Sequence, residues 1–117
     1  MGCGKSFTTE DGAQWKITVT EVSGVSAFVG RLLFTDWDGG HDDSPPPKKY
    51  TRKQLEKGIT IELKPKWTYN LDVVVAPSPG KDAVVRTVMT LDGNALMDKT
   101  CTCTKTSPLC EWEMTHL

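Results

Sequence analysis

The chain has 117 residues, a formal net charge of -1, 25% charged side chains and 38% hydrophobic ones. That length suits one domain with one core, and the near-neutral balance lacks the basic stripe or patch that nucleic acid or an anionic membrane selects. No stretch approaches the roughly 18 apolar residues of a spanning helix, and the start lacks the charged and apolar regions of a secretory leader, so residues 1–117 are read as a single soluble domain with no transmembrane segment.

The opening MGCGKSF admits four readings. GCGKS matches the second half of a phosphate-binding loop, but the first glycine of that motif would precede residue 1, and the stretch at 7–12 reads as a turn instead of the helix the motif requires. Gly2 and Ser6 fit the myristoylation pattern, with Cys3 available for a second acyl chain. Alternatively Cys3 begins the native segment, either as the lipid-anchored first residue of a bacterial lipoprotein or as half of a disulfide. The Cys3 readings are preferred, because Cys3 with the late cysteines makes an economical extracytoplasmic set.

Trp15, Ile17 and Val19 alternate with Lys16, Thr18 and Thr20, the period of a strand with one dry face, over 14–22. Over 26–35 both parities are apolar, so an interior strand with both faces covered is expected, and Gly30 marks a bulge or a close approach. The segment 36–57 is read as one long charged loop rich in proline, with a turn of helix or an edge strand near 51–57. Ile59, Ile61 and Leu63, and then Trp67, Tyr69, Leu71, Val73 and Val75, give the two clearest alternations. Strands over 83–91 and 95–104 form a hairpin through Asp92-Gly93, and 105–117 is left as a cysteine-bearing tail. About seven strands without an amphipathic helix point to an all-β, antiparallel sandwich or a barrel.

The sandwich is preferred because Leu63, Pro65 and Tyr69 in LKPKWTY resemble the tyrosine corner of immunoglobulin-like and fibronectin type III modules. The resemblance implies a tyrosine that opens a strand and whose hydroxyl bonds back to the corner's backbone. It covers 63–75, and it departs from the family in Trp67, in the long insertion before the corner and in the cysteine-bearing strand after it. The scaffold it implies hosts many functions, so the inference stops at architecture.

Cys101 and Cys103, two apart on a strand, point to the same, inward face and need separate partners. The first pairing is Cys103 with Cys110 and Cys3 with Cys101, one of three connectivities that remain open. The alternative is a thiolate-bound metal at Cys101, Cys103 and Cys110, completed by Cys3 or His116. A blue-copper site from His41, Cys110, Met114 and His116 has the wrong ligand order.

Within TDWDGGHDD, Asp36, Asp38 and Asp42 around paired glycines supply oxygens of the kind calcium takes, although the bidentate glutamate of an EF-hand is missing. Trp37 with Asp36, Asp38, His41 and Asp42 is the candidate ligand-binding group, Trp37 being its apolar platform. After three prolines the sign reverses through Lys48, Lys49, Arg52, Lys53 and Lys57. No nucleophile with a positioned base and no hydrolase motif is present, so no catalytic residue is assigned. The expectation is a non-catalytic binding module that is secreted, periplasmic or on the cell surface. It recognises a protein or a carbohydrate through loop residues and needs no cofactor. The rival is a small metalloprotein holding calcium or a thiolate-bound metal, and a third class is an assembly subunit.

Overall fold

The computed structural model of the chain describes residues 4–9, 13–36, 47–63 and 67–116. Nine strands and one short helix follow in order: β1 (Gly4–Thr9), β2 (Gln14–Ser23), β3 (Val25–Asp36), β4 (Lys48–Tyr50), α1 (Arg52–Lys57), β5 (Ile59–Glu62), β6 (Trp67–Pro77), β7 (Ala83–Leu91), β8 (Asn94–Cys103) and β9 (Leu109–His116). They form a sandwich of two sheets, one ordered β1-β9-β6-β3-β4 and the other β5-β2-β7-β8. Every pairing is antiparallel except β1 with β9, which run parallel.

Alternation explains the layers. The inward parity of β2 buries Trp15, Ile17 and Val19, β7 adds Val85 and Met89, and the opposite sheet answers with Phe28, Leu32, Leu71, Val73, Val75 and Trp112. Each such side chain taken fully out of water contributes about 1.5–3 kcal/mol. Between β7 and β8, Asp92 at φ 50° and Gly93 at φ 80° make the tight turn foreseen from Asp-Gly. Asp92 also ties that turn to the start of β2, since its carboxylate accepts from the Gln14 N–H at 2.8 Å and its own N–H donates to the Gln14 carbonyl at 2.9 Å. The Tyr69 hydroxyl donates to the Glu62 carbonyl at 3.4 Å. Its ring stands edge-on to Phe34, 5.4 Å away, closing one end of the core.

Four readings of the sequence need correction. The tail is no tail: Leu109–His116 is β9, lying between β1 and β6, and it buries Cys110, Trp112 and Met114. The opening residues Gly4–Thr9, read partly as a turn, are strand β1, so GKS is extended backbone and offers no helix N-terminus to phosphate. Lys48–Tyr50, read as part of the 36–57 loop, is strand β4, while the turn of helix expected near 51–57 is present as α1. Finally, β3 is covered on one face only, and Val29 is left exposed.

The helix α1 exists for local reasons that override its short length. Thr51 caps it: the Thr51 hydroxyl accepts from the Gln54 N–H at 3.3 Å, and the Gln54 side chain accepts from the Thr51 N–H at 2.8 Å. Gly58 ends it at φ 101°, donating its N–H to the Gln54 carbonyl at 3.0 Å. Leu55, fully buried, is driven against β3 at Gly30, where a Cβ would lie 3.1 Å from Leu55 Cδ1. Gly30 is thus a close-approach point; the irregularity of β3 lies between Val25 and Ala27.

Leu55→Ala is expected to cost about 2–5 kcal/mol in denaturant unfolding. Gly30→Ala is expected to destabilise the wild-type chain and to cost less in the Leu55→Ala background, because the clash has been removed; a double-mutant cycle reads the difference.

Candidate functional site

The two sheets treat their outer faces differently. On the four-stranded sheet, outward Arg86 and Asp98 satisfy each other with two hydrogen bonds, at 2.8 and 2.6 Å. The guanidinium beside Asp98 holds its carboxyl below the usual carboxylate range. Near the β2–β3 turn, Arg52 of α1 bonds Glu21 at 2.6 Å and lies over the Phe28 ring at 4.9 Å. That hydrogen bond, with a second from the Val25 N–H, lowers the Glu21 pKa. These charges are already partnered.

The five-stranded sheet is different. Its cross-strand register places Val29 opposite Val74 and Val74 opposite Leu109, so one apolar row crosses β3, β6 and β9. All three are exposed, at 56, 47 and 40% of their surface. Single exposed apolar side chains are ordinary, whereas a contiguous row is not. The next row, two residues along each strand, reads Lys49, Arg31, Asp72, Glu111 across β4, β3, β6 and β9. Two cations stand on one side and two anions on the other, and none of the four forms an ion pair with a described residue. Asp72 Oδ1 is withdrawn from solvent without a hydrogen-bond partner. The two rows line a shallow depression of about 620 Å³ whose walls include Val29, Arg31, Lys49, Asp72, Val74 and Leu109.

The depression is open and joins an apolar row to charged side chains, a make-up suited to taking up a surface with apolar and charged groups of its own. Sequence reading missed this site because it took both faces of β3 as covered, the outward parity of β6 as solvated, and β9 as a tail. The available signal was the failure of alternation: Val74 is apolar where Asn70 and Asp72 lead one to expect a polar residue, and Leu109 opens the wet parity that Glu111 and Glu113 continue.

The expected loop site is only touched by the described residues. Asp36 ends β3 in register with Trp67, while Trp37, Asp38, His41 and Asp42, and with them the calcium reading, lie outside the described residues. Cys3, with its anchor and disulfide readings, lies outside them too. Among the described residues no group of three or more His, Cys, Asp and Glu is placed to hold a metal, and no helix is long and apolar enough to cross a membrane.

The late cysteines do point inward, as their parity requires, and all three are buried. Cys103 of β8 and Cys110 of β9 meet across the two sheets, yet they are free thiols with sulfurs 3.3 Å apart, at hydrogen-bond distance; the disulfide expected between them is not formed. Burial, then the hydrogen bond with Cys110, pushes the Cys103 thiol up to about 12.

Compared with models of protein families, with curated proteins and with solved structures, the chain finds no match.

A folded-state thiol pKa above the unfolded value of about 8.5 means that the stability tied to the neutral pair is complete below the ordinary thiol range. It is lost as pH rises from there toward about 12. In reduced, folded protein near pH 8, Cys103 is therefore expected to resist alkylation, and Cys110 to resist it because it is buried; both should react fully once denaturant is added, as read by peptide mass mapping.

Proposed function

We propose that the chain is a non-catalytic interaction module that docks a protein on the outer face of its five-stranded sheet. One observation carries this reading: the row Val29, Val74, Leu109 leaves apolar side chains of three adjacent strands in water, with unpaired charges beside it. An interface of that make-up gains from removing the apolar row from water and takes its specificity from the flanking charges. The docking surface is placed on the sheet, where the described residues put an apolar row in water, instead of on the loop around Trp37.

The Tyr69–Glu62 bond supports placing the sandwich near the immunoglobulin-like and fibronectin type III modules. The β7–β8 hairpin that intervenes between the paired strands β6 and β9 is this chain's departure from their order.

A photoreactive amino acid in place of Val74 is expected to cross-link a defined protein, identified by mass spectrometry and shown to bind again when purified. The same residue in place of Thr100, on the outer face of the other sheet, is expected to yield none. The adduct should disappear with Leu109→Asp. No adduct at 74, or equal adducts at both positions, overturns the proposal.

A further inference from the structure

The charges beside the apolar row carry an order that identifies the partner. Across β4, β3, β6 and β9 they read positive, positive, negative, negative, as Lys49, Arg31, Asp72 and Glu111. A two-fold axis laid along the strands, midway between β3 and β6, reverses position across the sheet and leaves position along the strands unchanged. Applied to a second copy placed face to face, it sets Arg31 against Asp72 of the other copy and Lys49 against Glu111. The same axis sets Val29 against Val74 in the apolar row. One operation thus satisfies the whole charged row and the two central members of the apolar row.

We infer that the chain forms an isologous dimer through this face, a second copy being the protein that the proposed docking surface takes. The inference rests on that surface being a docking surface and names its occupant. Isologous pairing requires this kind of self-complementarity, in which residue i meets residue j and j meets i. Sheets stacked face to face keep their strands within about 30° of each other, so cross-strand rows stay opposed over several strands. About this axis the four strands β9, β6, β3 and β4 overlap their counterparts, roughly 19 Å across at about 4.8 Å spacing. In the dimer the guanidinium of the other copy's Arg31 donates to the Asp72 carboxylate, which lines the depression. That bond is charge-assisted, and the dimer shields it from water.

The test uses sedimentation equilibrium of the full chain at concentrations up to about 1 mM, the weak end of specific association. Wild type is expected to dimerise. Arg31→Glu and Asp72→Arg each place like charges opposite one another at two points of the dimer, and each is expected to weaken it by at least about tenfold. Mixing the two variants is expected to restore association, because the glutamate introduced at position 31 of one chain then faces the arginine introduced at position 72 of the other, and the remaining Asp72 faces the remaining Arg31. Rescue by mixing requires both chains to be folded and the pairing to be between chains. A monomeric wild type, a dimer indifferent to the two variants, or variants that mixing fails to rescue overturns the inference. A monomeric wild type that still cross-links another protein at position 74 overturns the inference and leaves the docking surface standing, whereas a monomer without adducts overturns both.

Discussion

The two-residue period of β6 is the constraint on which both halves of the molecule depend. Because successive side chains of a strand leave on opposite faces, Leu71, Val73 and Val75 enter the core while Asp72 and Val74 go outward from the same stretch of backbone. β6 lies at the middle of its sheet, bonded to β3 on one side and β9 on the other. Its register therefore determines which residues of those strands join each outward row. A slip of one residue would turn Leu71, Val73 and Val75 into the water, so the core holds the exposed rows in place without touching them.

A second device works at the open side of the same sheet. Leu55 fills the space beside Gly30 because α1 is capped at both ends, and Arg52 fastens α1 to β2 through Glu21 while covering the ring of Phe28. A six-residue helix has little stability of its own; here it serves as a plug whose position comes from its caps and its one buried leucine. The helix also carries the chain from β4 in one sheet to β5 in the other, so the seal and the crossover are the same segment.

Much of this was readable from the residues alone. Strict alternation made β2, β5 and β6 visible, Asp92-Gly93 marked its hairpin, and the spacing of Leu63 and Tyr69 anticipated a hydroxyl bond to nearby backbone. β9 alternates just as cleanly, Cys110, Trp112 and Met114 against Leu109, Glu111 and Glu113, but its cysteine drew attention to redox chemistry and away from periodicity. β1 was hidden for a different reason. GKSFTT has little apolar alternation, and its strand character comes from pairing with β9 at the far end of the chain. The outward rows were the least legible part, because each combines residues from three or four strands, and only the registers bring Lys49, Arg31, Asp72 and Glu111 into line.

The parallel pairing of β1 with β9 also has a mechanical side. Gly4 sits beside Glu111 and Thr9 beside His116, so the first strand enters at one end of the ladder and the last strand leaves at the other. Tension drawn through Gly4 and His116 pulls the two strands past each other along their length. It loads the hydrogen bonds between them together, in shear, where an antiparallel hairpin would give way one bond at a time. Forced unfolding follows the unfolding rate, and a pull between these two positions would bear directly on the β1–β9 ladder. The two strands that carry the chain's outermost described residues are also the ones that would bear a load placed on them.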